Sequence, residues 1–412
     1  MRVLLLTINH RTAPVALRER CSVEPADRHA ALDSLRRRFN KAVLLSTCGR
    51  TELYLDGDDA ETEREALAWL SRRARLEPAE LLPHVAVLRG EDAVRHAVRV
   101  ACGLESAVEG EDEVLGQLRR AWLDAGAAGM LSAALDSAFR LAVRTGRQAR
   151  RIGDPHSWTS LADSAAAHVL LAVQHLERPC VVIAGSGPMG LRAADELRRE
   201  LGDRLVLTLA GRTLPRVRLH AQRLQAEPVG LDGIPAALAR ADAAIVGLRT
   251  PRTLIEARDI APRTEAAPLF IVDLSVPRAV DAAVGELPGV ELRNVDQLSV
   301  GEGPRGRWSL DERARVEDLV ERAVTEHAEV AERPDGVRTL AALRMEAEGI
   351  RRRQLARALR RLPELDDEAQ QAVDALTRSI VNRLLHEPTM RLRADPHGEP
   401  ARQVRELFGF ER

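Results

Sequence analysis

At 412 residues and 45% hydrophobic content, the chain is long enough for two or three domains with buried cores, which excludes disorder on a large scale. Its 61 basic and 62 acidic residues leave a formal net charge of -1, so no global attraction draws it to nucleic acid; no DNA partner is expected, and an RNA partner requires a local patch. Cys21, Cys48, Cys102 and Cys180 lack C-x-x-C spacing, which argues against a zinc cluster or a disulfide framework and for a reducing, cytoplasmic setting, while a single lysine, Lys41, nearly excludes Schiff-base chemistry with pyridoxal phosphate.

The stretch Val3-Leu4-Leu5-Leu6-Thr7 reads as a strand; it is too short an apolar run for a signal peptide, and no run of about 18 apolar residues suggests a membrane span. Asn9-His10-Arg11-Thr12-Ala13-Pro14 follows, then an amphipathic segment from about Asp27 to Phe39. The run from Ala42 to Glu52 stops abruptly in small and polar residues, so it reads as a buried strand delivering Cys48 to a loop. Arg50, two residues on, is a cation that favours the thiolate, the form that attacks carbonyl carbon; an inert core thiol is the plainer alternative. Helical patterns continue from Ala60 to Arg75 and from near Asp92, where glycines interrupt. Gly103 to Gln117 holds three glycines and five carboxylates, which suits either a ligand-facing wall or a solvated acidic turn.

A second unit opens at Cys180-Val181-Val182-Ile183-Ala184, a strand that runs straight into G-x-G-x-x-G and then a helix from Leu191 to Leu201. In that context Gly185 permits a tight turn, Gly187 lets backbone approach a pyrophosphate and Gly190 allows close packing, with Ser186, Pro188 and Met189 between them. The next strand, Leu205 to Ala210, ends at Gly211-Arg212-Thr213, where an NAD-binding protein usually carries an acidic residue for the ribose hydroxyls. Arg212 and Thr213 suit a 2′-phosphate instead, which favours NADP; the alternative for Arg212 is an ordinary surface arginine. Strands at Ala243 to Gly247 and Leu269 to Leu274 complete a doubly wound sheet.

The third region begins with a capping box from Ser309 to Glu312 and apolar residues at Val316, Leu319, Val320, Ala323 and Val324. That helix is expected to stop before Pro334-Asp335-Gly336, and two more follow, with stripes at Leu340, Leu343, Ala347, Ile350 and at Val373, Leu376, Ile380, Leu384. Such stripes point to a bundle or a dimer interface. The tail after Pro388, with Arg391, Arg393, Pro396 and Gly398, reads as mobile.

Taken together, the chain resembles the glutamyl-tRNA reductase family. The resemblance rests on N-H-R-T-A-P at Asn9 to Pro14, S-T-C-G-R-T-E at Ser46 to Glu52, G-L-E-S at Gly103 to Ser106, L-G-Q at Leu115 to Gln117, V-P-R at Val276 to Arg278 and L-L-H-E-P-T at Leu384 to Thr389. It implies an α/β plus all-α fold: an N-terminal α+β catalytic domain (1–158), a Rossmann-type NADP domain (159–303), then a long connecting helix and a helical dimerisation domain (304–412), assembled as a V-shaped homodimer. It also implies NADPH-dependent reduction of glutamyl-tRNA(Glu) to glutamate-1-semialdehyde without metal or flavin, and a downstream aminomutase as a possible partner. By resemblance the nucleophile falls on Cys48, the catalytic histidine on His96, and substrate binding on Thr47, Gly49, Arg50, Ser106, Glu111, Asp112, Glu113 and Gln117.

The chain departs from the family pattern at Gly49, where asparagine is usual, at Glu113, where glutamine is common, at Gln297, where a second aspartate usually follows Asp296, and at Gly247-Leu248-Arg249. Glu113 has the direct electrostatic consequence, because an added carboxylate beside a glutamate site repels substrate unless it is paired or faces away. Two rivals keep the fold: an NADP-dependent dehydrogenase of a free small molecule, which needs no Cys48, and a non-catalytic paralogue. Retention of Cys48, Arg50, His96 and the whole glycine fingerprint disfavours the second.

Overall fold

A computed structural model describes residues 2–24, 26–108, 110–152, 160–248, 250, 253–264, 266–298, 308–332, 335–359, 367–394 and 399–408. Its tertiary contacts divide the chain into two units, 1–323 and 324–412. The expected domain boundaries at 158/159 and 303/304, and Arg249, lie outside the described residues.

In the first unit, strands β1 (Val3–Asn9), β2 (Ala42–Ser46), β3 (Arg50–Asp56) and β4 (Ala86–Arg89) form an antiparallel sheet in the order β2-β3-β1-β4. Every residue of β1 is buried, so its sequence is a near-continuous apolar run rather than an alternation. Pairing of Ser46 with Thr51 leaves Thr47, Cys48 and Gly49 as the tip of the β2–β3 hairpin, closed by the Thr47 N–H donating to the Arg50 carbonyl at 2.8 Å. The cysteine thus stands at the end of a rigid, buried pair of strands. Helix Gly90–Ala101 follows β4, and the acidic, glycine-rich stretch is a loop that ends where helix Glu113–Ala127 begins. Gly103 and Gly110 in that loop take φ of 78° and 77°, which is why a helix cannot run through it.

The second sheet is parallel: β5 (Cys180–Ala184), β6 (Val206–Ala210), β7 (Ala226–Val229), β8 (Ala243–Val246), β9 (Leu269–Asp273) and β10 (Val290–Asn294), in the order β10-β9-β8-β5-β6-β7. Strand order reverses between β5 and β8, the switch point at which doubly wound sheets open a crevice at their carboxyl ends. Both faces are covered. Val181 and Ile183 face a core shared with helices Leu161–Val173 and Pro188–Leu201, while Val182 and Ala184 face the opposite core with Ile234 and Ile271. Each fully buried Val, Leu or Ile stabilises the fold by roughly 1.5–3 kcal/mol. Val15, from the N-terminal half, joins the first of these cores, so the two sheets are not independent bodies.

A 23-residue helix, Leu310–Glu332, starts from the expected capping box: Ser309 Oγ accepts from the Glu312 N–H, and Glu312 accepts from the Ser309 N–H. The second unit is helical, with Asp335–Leu359, Asp367–Leu384, His386–Ala394 and Glu399–Phe408. Residues 333–334, where the sequence places the break, lie outside the described residues. Arg351 ties the first two of these helices together, pairing with Glu348 on its own helix and Asp374 on the next. In the tail expected to be mobile, the described residues form the end of helix His386–Ala394 and helix Glu399–Phe408, with Leu392 and Ala401 buried against Leu340, while Pro396 and Gly398 lie outside the described residues. Among the described residues no helix is long and apolar enough to cross a membrane.

Candidate active site

Cys48 lines a narrow pocket with Thr47 and Gly49 of the hairpin tip, Arg50 of β3, Ser106 and Glu111 of the glycine-rich loop, and Arg18 of helix Val15–Cys21. The far wall comes from the nucleotide half: Leu161, Val295 and Asp296. Burial pushes the Cys48 thiol up to about 12; the charges of Glu111 and Glu113 add to this, and Arg18 opposes it.

Sequence proximity points to Arg50 as that opposing cation. Its guanidinium is committed elsewhere: Nη1 donates to Glu52 at 2.9 Å and Nη2 to the Glu105 carbonyl. The positive charge that acts on the thiol is that of Arg18, which none of the sequence motifs contains. Position and identity together explain this. Arg50 sits on β3 beside its strand neighbour Glu52, whereas Arg18 approaches from a different element.

Glu52 is the hub of a buried network. Its carboxylate accepts from Arg50, from His96 Nε2 at 2.7 Å, from the Tyr54 hydroxyl at 2.7 Å and from the Thr7 hydroxyl at 3.3 Å. Burial raises its pKa, but the charges of His96 and Arg50 and these hydrogen bonds outweigh that and hold it well below the usual carboxylate range. His96, only 8% exposed, therefore points its Nε2 at Glu52 and is not part of the Cys48 pocket wall.

The acidic stretch splits in its loyalties. Glu111 faces the pocket, and burial pushes its carboxyl up to about 7, with the Ser106 hydroxyl working against that and Glu113 adding to it. Asp112 turns toward the nucleotide half, where Arg192 reaches it at 2.8 Å and also holds Asp163. Glu113 is half-buried; burial and Asp112 raise its pKa, and Arg192 and Arg120 lower it. Gln117 lies a turn further along helix Glu113–Ala127, outside the pocket wall, with its Oε1 buried and without a hydrogen bond. At Gly49 an added Cβ meets nothing within 4 Å, so the absence of the usual asparagine is not imposed by space.

The glycine fingerprint behaves as its spacing implies. Gly185 has φ of 131°, and a Cβ there would come within 2.5 Å of the Gly247 carbonyl oxygen, across the switch point from β5 to β8. A Cβ on Gly190 would come within 1.9 Å of the Gly185 oxygen, whereas one on Gly187 would meet nothing within 4 Å. Gly187 thus leaves open space at the N-terminus of helix Pro188–Leu201, where backbone N–H groups and the helix dipole favour an anion. Ser186 belongs to the same turn, Pro188 and Met189 open the helix, and Arg212 and Thr213 are exposed just beyond the end of β6. These residues fit a dinucleotide.

Family models match three parts of the chain: the glutamyl-tRNAGlu reductase N-terminal domain over residues 6–152, the glutamyl-tRNAGlu reductase dimerisation domain over 315–410, and shikimate/quinate 5-dehydrogenase over 167–300. A solved structure of glutamyl-tRNA reductase from Methanopyrus kandleri is 29% identical, with 98% of each chain covered and a TM-score of 0.43. Glutamyl-tRNA reductase of Chromohalobacter salexigens is 35% identical over 411 residues, 95% of this chain and 93% of its own, and that of Hahella chejuensis is 32% identical over 422 residues, 99% and 98%. The chain belongs to the glutamyl-tRNA reductase family.

Within this glutamyl-tRNA reductase family member, the middle domain is of the NAD(P)-binding dehydrogenase type, and the site draws on charges to which the sequence reading gives no role: Arg18, Arg192 and Asp296, and, inside two of the motifs, Glu52 and Glu105. Arg18, outside every motif, still leaves a signal in the sequence. Arg18 is three residues from both Val15 and Cys21, so it falls on the buried stripe of its helix, and a charge on such a stripe needs a partner. The pairing of Glu105 leaves none, since its acceptance of Arg99 and Arg11 depends on how the loop returns to the N-terminal strand.

Proposed function

We propose that this protein reduces glutamyl-tRNA(Glu) to glutamate-1-semialdehyde with NADPH through a thioester on Cys48, the first step of tetrapyrrole synthesis by the route that starts from glutamate. The observation that carries the reading is the shared pocket, in which a cysteine on the tip of one sheet meets Leu161, Val295 and Asp296 of the nucleotide half. Cys48, once deprotonated, attacks the ester carbonyl of the glutamyl group; the S–C bond forms, the C–O bond to the tRNA ribose breaks, and the ribose oxygen takes a proton. A thioester accepts hydride far more readily than a carboxylate, and bound NADPH supplies that hydride. Collapse of the resulting alkoxide returns the thiolate and releases the aldehyde, a product suited to direct transfer to an aminomutase.

Glu111 is the group we assign to the substrate's α-ammonium, with Thr47, Ser106 and Arg50 around the rest of the glutamyl moiety. Binding of the ammonium neutralises a carboxylate that otherwise opposes the Cys48 thiolate. Because the Glu111 carboxyl titrates at about 7, it loses its charge, and with it this contact, as pH falls below that value. His96 is assigned the task of holding Glu52, and through it Arg50. A cytoplasmic location matches a charged-tRNA substrate. The test is to incubate the protein with glutamyl-tRNA and NADPH and identify the aldehyde by trapping and mass; NADPH oxidation by a free small acid without tRNA would instead mark a small-molecule dehydrogenase.

NADPH is preferred over NADH because Arg212 follows β6 where a ribose-binding carboxylate is absent. Arg212→Glu is expected to reverse or erase that preference in coenzyme titrations, by roughly tenfold or more for one charge-assisted contact. Unchanged selectivity would remove Arg212 from the nucleotide site.

The protein is expected to be a homodimer through its helical unit, where Leu376, Ile380 and Leu384 are 59%, 50% and 72% exposed at i, i+4, i+8 spacing. Light scattering on Leu376→Glu combined with Leu384→Glu should give the monomer mass. A dimer that survives both charges would put the interface elsewhere.

Glu113→Gln is expected to lower KM for glutamyl-tRNA by roughly 1.5- to 5-fold, the range of one part-exposed charge contact. The substitution removes a charge that opposes ionisation of both Glu111 and Cys48. An unchanged KM would mean that Arg192 and Arg120 already neutralise it.

A further inference from the structure

Arg18 is only 2% exposed and lines the Cys48 pocket. A buried guanidinium is costly unless its N–H groups are satisfied. Nη2 is satisfied, by Asp296 at 2.5 Å, but Nε and Nη1 are buried without a partner. Unsatisfied buried donors are unfavourable, so an arginine held in this state calls for a compensating anion in the pocket at some stage of function.

A Cys48 thiolate would be such an anion, and no other charged group around it supplies a cation. From the glycine-rich loop and the helix after it, Glu111 and Glu113 are negative and disfavour a thiolate. From β3, Arg50 is engaged by Glu52 and the Glu105 carbonyl. On the nucleotide side, Arg192 is held by Asp112 and Asp163. Burial and the charges of Arg50, Arg11 and Arg18 push His10 down to about 4, which leaves it neutral near pH 7.

We propose that Arg18 is the positioning residue whose positive charge supports the Cys48 thiolate, and that Asp296, reaching it from the nucleotide half, withholds part of that charge. The two partners differ in a way that suits this. The Asp296 side chain is 30% exposed and is rehydrated at little cost, whereas Arg18 at 2% has only protein partners to choose from. Contact between the halves therefore reports on the reactivity of the cysteine: with Asp296 engaged the thiol is held back, and with Asp296 turned to water the full charge of Arg18 acts on the sulfur. The proposal rests on Cys48 as the nucleophile, but its test reads the thiol without tRNA or coenzyme, so either idea can fail alone.

The experiment is alkylation of the full-length protein with iodoacetamide between pH 7 and 10, followed as mass gain on the Cys48 peptide. The thiol proton goes to buffer, the thiolate sulfur bonds to the acetamide carbon, and iodide leaves. Asp296→Asn should speed Cys48 alkylation by roughly tenfold at fixed pH, the effect of a shift of about one unit from one nearby charge. Arg18→Gln should slow it by a similar factor, with Arg18→Lys in between, and circular dichroism should show all three folded. A double-mutant cycle separates charge from access. In the Arg18→Gln background, Asp296→Asn should no longer accelerate alkylation; acceleration that persists there would mean that Asp296 merely blocks the pocket, and the proposal falls. No acceleration by Asp296→Asn in the parent protein overturns it equally. If Arg18→Gln does not fold, Arg18→Met, which also carries no charge, replaces it in the cycle, and acceleration by Asp296→Asn that persists there is the overturning result.

Discussion

Replacing Cys48 by serine is expected to abolish tRNA-dependent NADPH oxidation, by roughly 10⁴-fold or more, the scale on which loss of a catalytic nucleophile acts. The hairpin places residue 48 in the pocket whichever side chain it carries, so the fold should survive. The chemistry should not. A serine hydroxyl ionises far less readily than a thiol, its ester accepts hydride poorly, and an alkoxide leaves badly when the intermediate collapses. In the parent protein, charged tRNA without NADPH should leave a glutamyl adduct on Cys48 or release free glutamate by hydrolysis, and NADPH should divert that flux to aldehyde. Mass spectrometry of the Cys48 peptide reads the adduct directly. Normal NADPH oxidation in Cys48→Ser would end the thioester mechanism and make a dehydrogenase of a free small molecule the better account.

Glu52→Gln should strongly destabilise the N-terminal sheet. It leaves Arg50, 3% exposed, without its counter-charge, and an amide cannot accept from Arg50, His96, Tyr54 and Thr7 as a carboxylate does. Breaking a buried ion pair on one side costs about 3–5 kcal/mol, a large share of the stability of a domain. Native-state hydrogen exchange on β1 and β3 amides should therefore accelerate by about two to four orders of magnitude. The pH dependence has a definite sign. Because the folded-state pKa of Glu52 is depressed, its contribution is complete above the ordinary carboxylate value of 4.5 and is lost as pH falls below it, so the parent protein should weaken on acidification while Glu52→Gln shows that slope diminished. Equal protection of β1 and β3 in the two proteins would mean that the network is not the support of the Cys48 hairpin.

Much of the nucleotide half is legible in the amino-acid pattern. A strand, three spaced glycines and a helix are a local signature, and the glycine contacts around Gly185 and Gly190 are what that signature demands. Helix Leu161–Val173 is not legible in the same way, although Ser160 and Asp163 form a capping box at its start. Its residues are apolar almost all round because it packs against helix Pro188–Leu201 and the sheet, so it lacks the one-sided stripe that marks a surface helix. Helix His386–Ala394 escapes pattern reading for the opposite reason, since a few buried contacts and not a strong periodicity hold it in place, whereas helix Glu399–Phe408 does carry a one-sided apolar stripe that includes Ala401 and Val404.

The sequence by itself determined the family, the parallel sheet with its dinucleotide turn, and the delivery of Cys48 to the end of a buried strand, because each depends on residues within one or two elements. Only the tertiary structure decided which charges act on that cysteine. Arg50 is its neighbour in sequence, yet the strand geometry of β3 sets it against Glu52; Arg18, thirty residues earlier in the chain, supplies the opposing charge, and Asp296 comes from the other half to hold it. Local periodicity falls off after a turn or two, whereas electrostatic interaction depends on distance through space and on burial, and neither is written in the spacing of a chain.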